Sequence, residues 1–396
     1  MPIYMDNQAT TRVDPRVVQA MLPFFNELFG NAASTSHSFG HEAKDAVEAA
    51  RVTIAAAIGA TPREIVFTSG ATESNNLAIR GVTDRQRRRG NHIVSVTTEH
   101  KAVLDPLAHL ARKGFEVSAL PVAQQGNSHA GLLDVERLRS TLRNDTCLVS
   151  AMLVNNEIGV VQPIAEIGRL CRERGIPFHC DATQAVGKMP VDVEELEVDL
   201  LSFTAHKMYG PKGVGALYVR RQPPQVRLDP QILGGGHERG LRSGTLNVPG
   251  IVGFATALEL CLTEMPTECD RLAQLRSRLW SGLQAATDDV ELNGPDFTGD
   301  TAASSPLRLP GNLNCTFHNV DGEALMMSMR DVALSSGAAC TSSNPEPSHV
   351  LRALGLSEDL TRASLRFGLG RFNTAEEVDL AMQLVADAVS RLRAMR

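Results

Sequence analysis

A chain of 396 residues with 43% hydrophobic residues has material for a large buried core, which excludes a mainly disordered protein. Its 39 Lys and Arg against 45 Asp and Glu leave a net charge of -6, without the basic excess of a polyanion binder, so direct nucleic-acid binding is not expected. The N-terminus MPIYMDNQATTRVD lacks a basic stretch followed by an apolar run, and the mid-chain run from Leu148 to Val154 is far shorter than the ~18 residues of a spanning helix. The expectation is a cytoplasmic protein with no membrane partner.

In chain order, short apolar runs alternate with amphipathic stretches from about residue 65 to 220. EIVFTSG, HIVSVTTEH, EVSALPV, CLVSAMLV, IPFHCDA, DLLSFTAHK and GVGALYVRR read as buried strands of a mostly parallel sheet. Segments such as ATESNNLAIRGVTDRQRRR and IAEIGRLCRERG, apolar at every third or fourth position, read as helices packed on it. The basic run Arg85, Arg87, Arg88 and Arg89 falls at a helix end, where cations favour the negative dipole terminus. The fold class is therefore α/β.

Beyond Pro249 comes a long helical stretch, IVGFATALELCLTEMPTECDRLAQLRSRLWSGL, then a polar Gly/Pro/Ser-rich segment. NLNCTFHNV, DVALSS and SLRFGLG are strand candidates and EEVDLAMQLVADAVSRLRAM a closing helix, a smaller α+β unit. The domain boundary is expected inside the long helix, with residues 14–262 in a large domain and residues 1–13 and 263–396 in a small one.

Seven cysteines, an odd number with no C-x-x-C pair, indicate neither a disulfide framework nor a structural zinc site. Most sit in apolar segments as small buried hydrophobes. Cys340, in SSGAACTSSNPEP, sits instead in a small-residue, Gly- and Pro-punctuated stretch that reads as an exposed loop.

LLSFTAHKMYGPKG puts His206 and Lys207 where a strand gives way to a glycine-rich turn, and PFHCD ends a nearby strand at Asp181. Open α/β sheets bind ligands at such strand ends. A lysine and a carboxylate at one crevice suit pyridoxal phosphate, whose aldehyde condenses with the amine while the carboxylate holds the pyridine nitrogen protonated. An ordinary salt bridge would use the same residues. VFTSGATESNN adds a strand followed by Gly70, Ala71 and Thr72 at a helix start, where free N–H groups and a hydroxyl can hold a phosphate. TTEHKAV adds His100, an imidazole that could stack on a flat cofactor or move a proton.

Together these pieces resemble the cysteine desulfurases of the NifS/IscS type, essentially end to end. The resemblance is carried by DNQATT, GNAAS, FTSGATESNNLAI, TEHKAVL, VNNEIGVVQPI, HCDATQAVGK, SFTAHKMYGPKGVGALYVRR, GGGHERGLRSGTLN, SSGAACTSSNPEPSHVLRALGL and SLRFGLGRF, in register. It implies a homodimeric pyridoxal-phosphate enzyme of fold type I, a transferase with L-cysteine as substrate. By motif position Lys207 would carry the cofactor, Asp181 pair with the pyridine nitrogen, Gln184 and Asn155 lie near the ring hydroxyl, and His100 stack on the ring. Ala71, Thr72, Thr204 and His206 would hold the phosphate, joined by Thr245 of the other subunit. Several relatives have serine where this chain has Thr204, and either hydroxyl donates.

Arg366 matches the position that grips the substrate carboxylate, with Asn155 beside the substrate. Cys340 would be the nucleophile that takes the sulfur as a persulfide, with Lys207 moving the Cα proton and His100 a candidate proton acceptor. The resemblance further implies delivery to an iron-sulfur scaffold protein, where Cys340 would transiently ligate a cluster, or to other acceptors such as a tRNA-thiolation relay. A selenocysteine lyase, or another fold-type I enzyme, would share Lys207 and Asp181.

Overall fold

The computed structural model describes residues 2–87, 90–297, 307–336 and 346–395. Strand β1 (Ile3–Tyr4) is followed by β2 (Ile65–Thr68), β3 (His92–Val96), β4 (Glu116–Leu120), β5 (Thr146–Met152), β6 (Phe178–Asp181), β7 (Leu200–Thr204) and β8 (Gly215–Val219). The last seven form one sheet in the order β2-β8-β7-β6-β5-β3-β4. Strands β7, β6, β5, β3 and β4 run parallel, whereas β8 is antiparallel to both its neighbours, β2 and β7. All seven runs singled out in the sequence are strands of this sheet, which is α/β and mostly parallel. The reversal of β8 has a local cause: the link from Lys207 to Val214 is too short for a helical crossover, so the chain doubles back.

Alternation within the strands feeds two apolar layers. Phe67, Val94, Phe178, Leu201 and Tyr218 face one core, and Val66, Ile93, Leu148, Leu200 and Leu217 the other. Helices Ala71–Gln86 and Lys101–Arg112 cover the second face. Arg85, in the last turn of Ala71–Gln86, meets Asp229 at 3.7 Å with both side chains well exposed, a solvated contact. Arg88 and Arg89 lie outside the described residues.

Strands β9 (Val290–Leu292), β10 (Asn312–Phe317), β11 (Val332–Ala333), β12 (Ser335–Ser336) and β13 (Ser364–Gly368) complete the chain. A four-stranded sheet has the order β12-β13-β10-β9, while β11 pairs parallel with β1. The run DVALSS is thus two short strands in different sheets, and β1 and β9, two and three residues long, carry too little pattern to be read from sequence.

The helix Val248–Ala286 supplies Val248, Ile251, Phe254 and Leu258 to the core under the large sheet, and Leu272, Leu275, Leu279 and Leu283 to the core beside the small one. By length and composition it could cross a membrane, but its most apolar window is half buried within the protein, as in a core helix. Met5 also packs in the core beside the small sheet, so both chain ends meet there.

One ion pair fixes the glycine-rich segment between the large sheet and this helix. Arg51 donates to both carboxylate oxygens of Glu238 at 2.8 Å, Phe67 N donates to the same carboxylate, and both side chains are almost fully buried. Removing one partner strands the other charge. Arg51→Met is expected to cost about 3–5 kcal/mol, seen as a marked fall in the thermal unfolding midpoint.

Candidate active site

Because β2, β3, β5, β6 and β7 all point the same way, their carboxyl ends share one edge of the sheet, and each is followed by residues picked out in the sequence. Gly70, Ala71 and Thr72 follow β2, Glu99 and His100 follow β3, Asn155 follows β5, Asp181 ends β6, and Thr204, His206 and Lys207 follow from β7. Strands β3 and β5 are the switch point, since the chain goes from β3 outward to β4 and returns to the opposite side.

The N-terminal motif DNQATT reaches this edge from the small sheet. Lys207 Nζ donates to Gln8 O at 2.5 Å and Ala9 O at 2.6 Å, while Thr11 N and Oγ1 donate to His206 O. Burial first, and then the Arg366 guanidinium, lower the lysine pKa to about 8, with Asp6 and Asp181 opposing. His206 is lowered to about 4 by burial and by Lys207, Lys212 and Lys188. Its Nδ1 shares a hydrogen bond with Thr10 Oγ1 at 3.1 Å.

Asp181, 4% exposed, is held on both oxygens. Asn75 Nδ2 donates to Oδ2 at 2.7 Å and Thr183 N to Oδ1 at 3.0 Å. Asn75 comes from the helix Ala71–Gln86, and a buried asparagine on a helix face that packs on a sheet was the signal that the sequence reading passed over. Glu99, fully buried beside Asp181, was passed over as well. Met152 N donates to its Oε1 at 2.6 Å and Oε2 has no partner among the described residues. Burial and then the nearby Asp181 raise its pKa well above the usual carboxylate value, favouring the protonated form.

The phosphate candidates meet across β8. Thr68 and Thr204 both pair with Gly215, where a Cβ would lie 2.7 Å from Gly70 Cα, so only glycine lets the two strand ends close. Gly70 has φ 152° and precedes the first turn of Ala71–Gln86, where the N–H groups of Ala71 and Thr72 have no partner among the described residues. Thr204 Oγ1 donates to Val214 O at 2.9 Å, so its hydroxyl must turn to serve a phosphate. Thr245 is exposed and lies away from these groups in sequence, in the segment anchored by Glu238.

His100 caps the helix Lys101–Arg112 by accepting from Ala102 N at 3.0 Å. Its pKa is lowered by desolvation, with Asp181 opposing and Lys207 and His349 adding to the fall. His349 itself bonds Glu99 O at 2.8 Å. Gln184 is buried, its Nε2 donating to Gln8 O at 2.8 Å.

Two further residues of the expected site are already engaged within the protein. Asn155 is 1% exposed and its amide is fully engaged: Nδ2 reaches Thr98 O and Met152 Sδ, and Oδ1 accepts from Glu157 N and Ile158 N. It must give up one of these bonds to touch a ligand. Arg366 has a structural partner in Asp6 Oδ1 at 2.6 Å, with Ser335 Oγ and Asn156 O as further acceptors. Asp6 and Arg366 are far apart in sequence and meet because Asp6 bridges to Gly368 beside β13. Arg366 Nε remains buried without a partner among the described residues.

Cys340 lies outside the described residues. Among the other thiols, burial pushes Cys171, Cys180 and Cys315 up strongly, Cys261 to about 12 and Cys269 to about 11, so none of these is a ready nucleophile.

The chain matches the aminotransferase class-V model over residues 3–381. It is 58% identical over 395 residues to a protein of Anaeromyxobacter sp. (strain Fw109-5) named cysteine desulfurase IscS, covering 100% of this chain and 94% of the relative. A solved NifS-like protein superimposes with a TM-score of 0.88 at 39% identity, covering 99% of this chain and all of the other. A structure titled SspA in complex with cysteine gives a TM-score of 0.80 at 36% identity, covering 94% and 100% of the two chains.

With its pKa near 8, Lys207 should react with an amine-acylating reagent in the unloaded protein with half-maximal rate about pH 8. Ordinary lysines should respond only nearer pH 10, which competitive labelling with peptide mass analysis distinguishes.

Proposed function

The chain belongs to the class-V aminotransferase family, and from that premise we propose that it is a pyridoxal-phosphate-dependent cysteine desulfurase, releasing alanine from L-cysteine and passing the sulfur on from Cys340. The observation that carries this reading is a half-buried lysine of lowered pKa on the same strand edge as a doubly held aspartate and an open helix N-terminus. The residues present fit the cofactor. Asp181 would receive the pyridine N–H, the free N–H groups of Ala71 and Thr72 with Thr204 and His206 would hold the phosphate, and Gln184, with Asn155, would serve the ring oxygen. Bound there, pyridoxal phosphate supplies an electron sink that lets the Cα proton of the substrate leave.

The chain's own groups supply the rest. With its pKa lowered to about 8, Lys207 is partly neutral near neutral pH and moves the Cα proton. Arg366 would grip the substrate carboxylate, using its unpaired Nε. Since Arg366 is the charge that most lowers Lys207, a carboxylate seated on it restores basicity to the lysine as substrate arrives. His100 has its pKa lowered, so it is neutral at pH 7 and available to take the thiol proton. Cys340 Sγ then bonds to the substrate sulfur as the carbon–sulfur bond breaks, and the carbon leaves as alanine once protonated.

The same reading makes the protein a cytoplasmic homodimer in which Thr245 completes the partner's phosphate site. Exposed Leu233 and Ile232, in the segment that carries Thr245, support an interface there. The sulfur would pass to an iron-sulfur scaffold protein, with Cys340 transiently ligating a cluster, or to other acceptors.

Loaded protein with L-cysteine and a reductant should release equimolar alanine and sulfide. Cys340→Ala should keep bound cofactor but lose sulfur transfer, and undiminished turnover in that variant would defeat the assignment. Lys207→Ala should lose the borohydride-fixed cofactor adduct seen by peptide mass; an adduct that persists would put the attachment elsewhere.

A further inference from the structure

Lys188 is a half-buried amine that the chemistry above leaves unused. It sits four residues after Gln184, in the turns that follow β6, and its Nζ donates to Gln184 Oε1 at 2.8 Å. The other end of that amide, Nε2, donates to Gln8 O, the carbonyl that also receives Lys207 Nζ. A carbonyl oxygen only accepts, so the Gln184 atom facing Gln8 must be nitrogen and the one facing Lys188 must be oxygen. The two lysines are therefore joined by a directed path: Lys188 amine to Gln184 oxygen, Gln184 nitrogen to Gln8 oxygen, and Lys207 amine to that same oxygen.

Lys188 makes no salt bridge among the described residues. The groups that face it are Lys207, Arg366, Glu268 and a Cys261 thiol pushed up to about 12. Burial, then Lys207, bring its pKa down to about 7. A partly desolvated amine with no carboxylate partner among the described residues costs stability, and its hydrogen bond goes to the amide of Gln184, which is 3% exposed. Without Lys188 the Gln184 oxygen would be buried and unsatisfied, and the amide would turn or shift to recover a donor.

We propose that Lys188 is a positioning residue: it clamps the oxygen of Gln184 so that the amide nitrogen, one N–H on Gln8 O, keeps its other N–H for the ring oxygen of pyridoxal phosphate. This rests on the reading that Lys207 carries the cofactor with Gln184 at that oxygen. The consequence is electronic. Donation to the ring oxygen, and a neighbouring amine that carries part of a positive charge, both disfavour a proton on the Lys207–cofactor linkage. The other charged groups facing Lys207 are Arg366, Asp6 and Asp181, with His206 and His100 at the rim; none of them is replaced in the Lys188 variants, and of these Arg366 and His206 also feel the Lys188 charge.

The test is a pH titration of the visible absorbance of the loaded protein. In Lys188→Met the midpoint should rise by about one pH unit. Lys188→Gln keeps a donor for Gln184 and loses the cation, so a smaller rise is expected, and this variant carries the test if the methionine variant does not fold. Lys188→Arg, retaining donors and charge, should titrate with the wild type. A role in packing alone would lower the thermal midpoint and leave the titration unmoved, and that result overturns the inference. Absence of a borohydride-fixed adduct at Lys207 in the wild type would instead remove the reading beneath it, and the inference with it.

Discussion

A half-buried amine at the end of an apolar strand must find acceptors, and Lys207 finds them among the described residues in the backbone oxygens of Gln8 and Ala9. That requirement ties the N-terminal segment, which otherwise belongs to the core beside the small sheet, to the carboxyl edge of the large one. Much else follows from it. Thr11 holds the His206 carbonyl, Gln184 shares the Gln8 oxygen, and Asp6, just ahead, pairs with Arg366 on β13. The crevice is thus walled by two sheets that meet around one lysine.

Burial, more than ion pairing, sets the electrical character of this edge. Lys207 and His206 are pushed down and Glu99 is pushed up, each toward its uncharged form. A site prepared in this way meets a phosphate and a zwitterionic amino acid with few fixed charges of its own. The exceptions are Asp181 and the Asp6–Arg366 pair, held by directed hydrogen bonds.

Local pattern explains why the large sheet was legible. Seven apolar runs of four to seven residues, each flanked by turns or an amphipathic stretch, sufficed to find β2 to β8. Direction was not legible for β8, because a run such as GALYV reads the same in a parallel or an antiparallel strand. The site was readable wherever a chemical residue stood at a strand end, as with Asp181, Lys207 and His100. Asn75, Glu99 and His349 were missed because each acts through a partner brought in by the fold, from as far as 250 residues away, and Lys188 because its neighbour Gln184 gains meaning only through the distant Gln8. Asn155 and Arg366 show the converse: the family resemblance implied a ligand at each, while distant backbone and Asp6 already occupy much of their bonding capacity.

The helix Val248–Ala286 enters both cores with one continuous backbone. A cut between Cys261 and Leu272 would leave each half of the helix on its own core, whereas a cut within either apolar stretch would strip that core of part of its cover. What the continuous backbone adds is therefore a fixed distance and angle between the two cores, so that the crevice walled by both sheets keeps its width.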